Sequence, residues 1–233
     1  TVEIETAVEA VRPPVGALPS RPPAAPAANA STLRPPAPDP RPRTFTHNGD
    51  PHQAYALIGW STLGGLDRTR ERRALALAAN LFETRLFDRL REAEGATYAP
   101  DAAHLTSDSF AEWGIFYAAA EIRPERADAF FRAAREIVAD LAARAVLPDE
   151  FERAQNPVIS GIERRLETNA YWVGALENWT RDPRAIEDVR SYLADYRALT
   201  AEDVRRAVAA YVTDAGDWSM LVLPARERAE SSE

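Results

Sequence analysis

The stretch that decides the fold of this chain is Leu86-Phe87-Asp88-Arg89-Leu90-Arg91-Glu92-Ala93-Glu94-Gly95-Ala96-Thr97-Tyr98-Ala99-Pro100. Its first half predicts the end of an amphipathic helix, because apolar residues recur every four positions from Phe82 to Leu90. Gly95 suits the left-handed residue that ends a helix, and the next four residues favour extended chain. Arg91 and Tyr98 therefore lie on the two sides of one helix-to-strand turn, which can direct a guanidinium and a phenol into the same space.

The composition is that of a globular protein with an acidic balance. The chain has 233 residues, 45% of them hydrophobic and 27% charged. Its net charge is −8, and every basic residue is arginine. Such a length accommodates one sizeable domain and a tail, or two small domains. The acidic balance argues against nucleic acid as a partner. An arginine cluster from Arg68 to Arg73 is interrupted by Glu71, and this pattern predicts a solvent-exposed helix start.

The absence of cysteine excludes a disulfide framework and a thiolate metal site. No apolar run approaches the roughly 18–20 residues that span a bilayer, so we expect no membrane span. No signal peptide opens the chain, which begins without Met in an amphipathic segment. We therefore expect a piece of a longer protein.

Proline marks a linker near the start of the chain. Eleven of the 18 prolines lie between Pro13 and Pro42, which favours extended, irregular chain over residues 20–43. We expect a globular domain over residues 44–226 and a tail over 227–233. The alternative for the proline-rich stretch is a ligand for a groove on another protein.

The order of predicted elements indicates an α+β fold. A near-continuous apolar run from Gln53 to Thr62 predicts a central strand, and a long helix follows. Two strands joined by the turn Thr106-Ser107-Asp108-Ser109 come next. Several helices follow, one of them with an expected kink or break at Pro157, and Asp217 to Leu223 closes as a strand. We expect a mostly antiparallel sheet with helices packed on one face.

No catalytic metal motif is present in the sequence. A zinc peptidase helix of the His-x-x-Glu-His type needs two histidines on one helical face. The chain has only His47, His52 and His104, and no two of them have that spacing. We interpret His47 and His52 as strand-entry or surface residues and His104 as a polar, partly exposed strand residue.

Several separated motifs resemble those of M16 (pitrilysin/insulinase-type) zinc peptidases. Residues 85–98 read Arg-Leu-Phe-Asp-Arg-Leu-Arg-Glu-x-x-Gly-x-x-Tyr, which looks like a signature of the non-catalytic half of that family. Three further stretches strengthen the resemblance: His47-Asn48-Gly49-Asp50-Pro51-His52-Gln53-Ala54 before Trp60, Glu167-Thr168-Asn169-x-Tyr171-Trp172, and Trp218-x-x-Leu221-Val222-Leu223-Pro224. They occur in the right order over residues 44 to 224 and are similar to the C-terminal end of bacterial PqqL-like members.

The resemblance implies a zinc-less C-terminal domain of a metalloendopeptidase, with the half-domain fold that M16 peptidases share with LuxS-like metallohydrolases. It implies that Arg91 donates to peptide carbonyls and that the Tyr98 hydroxyl reaches the carbonyl or its developing oxyanion. The zinc belongs to an upstream catalytic half, in the same polypeptide or a partner subunit, and this chain alone is expected to be inactive. The substrate is an unfolded peptide, bound partly by pairing to a sheet edge.

Residues 1–19 match the end of a preceding unit. The bacterial periplasm is the favoured compartment, with the cytoplasm as the alternative.

Each candidate site has a structural alternative. Arg91 in a last helical turn favours the negative end of the helix dipole, and Tyr98 suits a strand. Asn169 and Tyr171 are candidate peptide contacts, but a helix N-terminus capped by Thr168 or Asn169, with Tyr171 as a packing residue, explains them equally simply. The chain as a whole has two alternative functions: a structural or assembly module, or a peptide-binding module without hydrolysis.

Overall fold

The structure is a computed structural model of the 233-residue chain, and it describes residues 3–20, 35, 37–94, 99–107, 110, 112–176, 182–213 and 216–225. The chain divides into two compact units, Thr1–Leu33 and Arg34–Glu233. The first unit holds α1 (Ile4–Gly16), none of whose described side chains is buried. Its exposed apolar side chains follow a spacing of four, three and four: Ile4, Val8, Val11 and Val15.

In its described part, the second unit has five strands and six α-helices. They are β1 (Asp39–His47), β2 (Ala54–Thr62), α2 (Thr69–Glu94), β3 (Asp101–Thr106), β4 (Gly114–Ile122), α3 (Ala127–Ala143), α4 (Pro148–Leu166), α5 (Asn169–Leu176), α6 (Arg184–Ala198), α7 (Ala201–Tyr211) and β5 (Asp217–Pro224). A short 3-10 turn, Pro124–Arg126, leads into α3. Among the helices of the described residues, none combines the length and the apolar character that crossing a membrane requires.

The strands form one sheet in the order β1-β5-β2-β4-β3. β1 and β5 are parallel, and the other three neighbouring pairs are antiparallel. α2, α3 and α7 contact the sheet, while α4 and α6 pack against α2. The predicted α+β fold is therefore confirmed. We call the side of the sheet that these helices cover the helix face and the opposite side the open face.

Side-chain alternation along β2 separates the two faces. Ala54, Ile58 and Trp60 are buried on the helix face, whereas Tyr55 is exposed and Leu57 is half-buried on the open face. Successive side chains of a strand point to opposite faces, so this pattern follows directly from burial of one side only.

The centre of the core is a trio of aromatic rings on the helix face. Trp60, Phe82 and Phe116 have no exposed surface, and their ring centroids lie 5.5–6.2 Å apart. Burying a large apolar side chain stabilises the fold by about 1.5–3 kcal/mol. The trio joins α2 to the two central strands β2 and β4, which fixes the height of α2 above the sheet.

The arginine cluster at the start of α2 is only in part the exposed helix start that the sequence predicts, because Arg68 and Arg70 are exposed but Arg72 and Arg73 are not. Only 4% of the Arg73 side chain is exposed, and its Nη2 donates to the Asp188 carbonyl at 2.6 Å. Arg72 donates to the Asp188 carboxylate at 2.7 Å, and Arg70 to that of Asp203 at 2.6 Å. These partners lie on α6 and α7, more than a hundred positions away along the chain. The cluster therefore fastens α2 to the later helices.

Two proline expectations also differ from the structure. β1 begins at Asp39, inside the stretch predicted to be irregular. Its pairing with β5 is interrupted between Asp39 and Arg43, and proline is tolerated in an edge strand at such an irregularity. At Pro157, where the sequence predicts a kink or a break, α4 does not break and continues to Leu166.

Candidate functional site

Arg91 lies in the last turn of α2 and points away from the core. Leu86 and Leu90 on the same helix are buried, whereas 61% of the Arg91 side chain is exposed. Its guanidinium lies 5.5 Å from the centre of the Phe87 ring and 3.7 Å from the Asp88 carboxylate. An exposed ion pair contributes only about 0–1 kcal/mol, so a ligand can take the guanidinium from Asp88 at little cost.

The second member of the predicted pair, Tyr98, lies outside the described residues, as does Gly95. Ala99 is the next residue that the structure describes, and β3 begins two residues later at Asp101. The end of α2 at Glu94 is thus where the sequence predicts it, whereas β3 begins later than the extended chain predicted directly after Gly95. The convergence of Arg91 and Tyr98 stays a prediction.

Asn169 and Tyr171 belong to the first turn of α5. Asn169 is exposed and Tyr171 is half-buried. The Thr168 hydroxyl accepts a hydrogen bond from the Tyr171 amide at 3.3 Å, which caps the helix. Burial raises the pKa of the Tyr171 phenol, with smaller effects from Tyr192 and Asp188. This environment fits the packing interpretation, and the exposed Asn169 amide is still available to a ligand.

The structure does not bring these two candidate regions together. Tyr171 lies near Arg73, whose charge affects the Tyr171 pKa, and Arg73 is in the first turns of α2. Arg91 is eighteen residues farther along that helix, which corresponds to about 27 Å at 1.5 Å per residue. The two candidate regions therefore lie near opposite ends of α2.

Sequence analysis missed a polar pocket on the open face. The pocket has a volume of about 620 Å³ and is lined by Asp50, His52, Tyr55, Asp101, Glu121 and Arg123, among others. Tyr117 donates to the Asp101 carboxylate at 2.9 Å. Strand alternation could have found part of it, since Asp101 and Tyr117 lie on adjacent strands of one hairpin. The contribution of Asp50, which comes from the turn before β2, has no such signal.

The histidines do not form a metal site. The two ring nitrogens of His47 lie 2.9 Å from the Gln53 carbonyl and 2.9 Å from the Gly49 amide, so both are engaged. His104 lies 2.9 Å from the Thr62 hydroxyl and 3.2 Å from the Arg72 carbonyl, and burial lowers its pKa to about 4. Within the described ranges, no group of three potential ligands could hold a metal ion. The described residues therefore do not fit zinc.

Sequence comparisons match the chain to one family and to two plant peptidases. The family described as "Peptidase M16 inactive domain" matches residues 1–158. The chloroplastic stromal processing peptidase of Oryza sativa subsp. indica is 26% identical over 133 residues, which are 56% of this chain and 11% of that protein. The protein of Oryza sativa subsp. japonica matches to the same extent. The chain thus spans about a tenth of the length of these relatives.

Solved structures share the fold. A protease from Helicobacter pylori has a TM-score of 0.73 at 14% identity, over 96% of this chain and 53% of its own. The periplasmic protease PqqL from Escherichia coli has a TM-score of 0.72 at 18% identity, over 97% of this chain and 24% of its own. A peptidase M16 inactive domain from Pseudomonas fluorescens has a TM-score of 0.67 at 17% identity, over 83% of this chain and 46% of its own. At such identities the similarity describes the fold alone.

Proposed function

Since the chain belongs to the peptidase M16 inactive-domain family, we propose that it is the zinc-less C-terminal domain of an M16-type metalloendopeptidase. In this proposal it forms one wall of the chamber that holds an unfolded peptide. It contributes peptide contacts, while the zinc and the catalytic motif belong to another domain.

The observation that carries the proposal is the open face of the sheet, on which no helix of the described part of the second unit packs. The helices that contact the sheet, α2, α3 and α7, lie on one face. The open face carries half-buried side chains such as Leu57 and Trp218. A one-sided sheet of this kind can line a chamber, because its exposed side chains and its edges are both available to an extended peptide.

Arg91 and Tyr98 are the proposed contacts nearest to the reacting bond. The Arg91 guanidinium, exposed and weakly paired with Asp88, is able to donate to two peptide carbonyls in its planar fork. The Tyr98 hydroxyl would donate to the scissile carbonyl oxygen, on which negative charge develops during attack. Asn169 and Tyr171 would contact a more distant part of the peptide.

The proposed partner is an upstream catalytic half, in the same polypeptide or in another subunit. The exposed apolar side chains of α1, from Ile4 to Val15, suit a helix that packs into the preceding unit, and residues 1–19 are assigned to that unit. The periplasm is the proposed compartment. PqqL from Escherichia coli, whose fold is similar, is a periplasmic protease.

The test uses the full-length enzyme and a fluorogenic peptide. Tyr98→Phe removes one hydroxyl donor, and we expect kcat to fall by roughly 10²–10³-fold with an unchanged melting temperature. Arg91→Lys keeps the charge but loses the planar fork, so we expect a higher KM as well.

The matched control is Arg89→Lys. Arg89 is also exposed and lies two positions earlier on α2, where it pairs with Glu136, and we expect its replacement to leave kcat and KM near the wild-type values. A normal kcat in Tyr98→Phe, or a loss in Arg89→Lys equal to that in Arg91→Lys, would overturn the proposed contacts.

A further inference from the structure

The open face has two chemically different zones. One is the acidic pocket, which we define by Asp50, Asp101 and Glu121. The other is an apolar zone around Trp218, which we call the Trp218 shelf. Both lie on the open face of the sheet, so one extended ligand can contact both.

The acidic pocket holds three exposed carboxylates. Asp50, Asp101 and Glu121 line a volume of about 620 Å³, and in the described part of the chain none of the three forms an ion pair within 4 Å, although Arg123 lines the same pocket. Carboxylates on the helix side behave differently: Asp217, for example, pairs with Arg135 at 2.7 Å. In a protein with 28 basic residues, this pocket keeps its negative charge available to a cation.

One tyrosine lines the pocket, and a second one holds a carboxylate of the pocket in place. The Tyr117 hydroxyl holds one oxygen of Asp101 at 2.9 Å, which fixes the carboxylate in place. Tyr55 lies opposite Glu121 in the register of β2 and β4. Burial, Asp101 and Glu121 raise the pKa of the Tyr55 phenol, so it keeps its proton. An aromatic face beside carboxylates favours a lysine ammonium or an arginine guanidinium.

The Trp218 shelf is made possible by a glycine. Gly59 and Trp218 are directly opposite in the register of β2 and β5. A Cβ at Gly59 would lie 3.0 Å from the Trp218 ring and 3.3 Å from the end of Ile115, so the indole lies across the glycine. A volume of about 380 Å³ beside it is lined by Trp218, Ile115 and Leu105, and Leu105 is 56% exposed. The shelf therefore offers an apolar side chain a place to bind.

The spacing of the two zones matches an extended peptide. Tyr55 at the acidic pocket and Gly59 at the shelf are four residues apart on β2, or about 13 Å. An extended ligand covers that distance with four of its own residues. We propose that the open face selects peptides in which a basic side chain, bound in the acidic pocket, lies about four residues from an apolar side chain on the Trp218 shelf. This inference rests on the proposed function and names the substrate class.

Charge complementarity favours this occupant over another protein surface. The chain carries a net charge of −8, so a second copy would bring like charge to the acidic pocket. A flat partner surface also leaves a pocket of this volume unfilled, whereas a single long basic side chain can enter it.

The test is fluorescence anisotropy of the 233-residue chain with labelled Gly/Ser peptides at low ionic strength, where exposed charges are least screened. One peptide carries Leu and, four residues later, Arg. In the others Arg is replaced by Glu, Leu is replaced by Ser, or the spacing is cut to two. We expect the first peptide to bind at least about tenfold more tightly than the Glu peptide, and about threefold to tenfold more tightly than the other two.

Protein variants assign the two zones. Asp101→Asn combined with Glu121→Gln should reduce the Arg-over-Glu preference to less than about twofold. Leu105→Ser, at an exposed position, should abolish the preference for Leu over Ser. The control combines Asp149→Asn with Glu152→Gln, which changes the net charge equally at exposed positions on α4, and should leave both preferences intact.

Equal binding of the Arg and Glu peptides, or loss of the preference in the Asp149/Glu152 control, would overturn the inference. So would sedimentation of the chain as a dimer that Leu105→Ser dissociates, because the face would then be an interface between copies. None of these results bears on the kcat of the Tyr98→Phe enzyme. Failure of this inference and failure of the proposed function are therefore distinguishable.

Discussion

The two faces of the sheet bury the same residue types to different extents. On the helix face, aromatic rings pack without exposed surface, as Trp60, Phe82 and Phe116 do. On the open face, Phe45 is 53% exposed and Trp218 is half-buried. This difference in burial indicates that the fold gains its stability on one side of the sheet and leaves the other side available for binding.

Charged groups show the same division. On the helix side, Arg85 donates to Glu150 at 2.6 Å and to Asp140 at 2.8 Å, and Arg73 is buried against the Asp188 carbonyl. Partners of this kind are needed there because a buried unpaired charge is costly. The carboxylates of the acidic pocket, in contrast, are reached by solvent and carry no such requirement.

The sharpest test of this division removes a phenyl ring from each face. Phe82→Ala deletes a ring that has no exposed surface and contacts two other rings, and we expect the free energy of unfolding to fall by about 3–5 kcal/mol. Phe45→Ala deletes the same ring from an edge strand where it is 53% exposed, and we expect a loss below about 1 kcal/mol. Urea denaturation of both variants measures the difference. Equal losses would mean that something in this chain covers the open face.

A pH titration tests the helix side more finely. Burial lowers the pKa of His104 from 6.5 to about 4, against the opposing effect of its hydrogen bond to the Arg72 carbonyl. The folded state therefore favours the neutral imidazole, and the unfolded state binds the extra proton between these two values. We expect this residue alone to reduce the free energy of unfolding by about 3 kcal/mol as the pH falls from 6.5 to 4, with no further loss from it below pH 4.

The variant for this titration is His104→Asn, which keeps an N–H donor for the Arg72 carbonyl but cannot titrate. We expect the difference in unfolding free energy between the wild type and His104→Asn to shrink or reverse as the pH falls. His52→Asn, at an exposed position, is the control and should retain the wild-type pH dependence. A constant difference between the wild type and His104→Asn from pH 7 to pH 4 would contradict a half-buried, neutral imidazole.

Much of this architecture could be predicted from local sequence patterns. The apolar run of β2 and the periodicity of α2 are local signals, and each gives the element expected. A further local signal lies at the start of α7. The Thr200 hydroxyl accepts from the Asp203 amide and the Asp203 carboxylate accepts from the Thr200 amide, a complete capping box although Asp is shorter than the usual Glu. Local rules therefore settle which elements form.

What the sequence could not supply is the identity of distant partners. Arg73 looks solvated because its partner Asp188 is 115 positions away. Asp50, Asp101 and Glu121 likewise come together only through the strand order β1-β5-β2-β4-β3. The predicted pair Arg91 and Tyr98 depends on the turn between α2 and β3, and one of its two members lies beyond the described residues. The site is thus a property of topology, which residue spacing along the chain does not encode.

The smallest predicted effect concerns Gly59, across which the Trp218 indole lies. Replacing Gly59 and Gly161 by alanine should change the free energy of unfolding in opposite directions. Gly161→Ala, in α4 where a Cβ meets only the Arg164 side chain at 4.0 Å, should raise the free energy of unfolding by about 0.5–1 kcal/mol. Gly59→Ala places a Cβ 3.0 Å from the Trp218 ring and should lower it by about 1 kcal/mol. In a Trp218→Ala background that penalty should disappear, because the two sites are in contact. Urea denaturation of the four variants measures the coupling. A Gly59→Ala penalty that persists without the indole would show that the glycine serves the strand rather than the shelf.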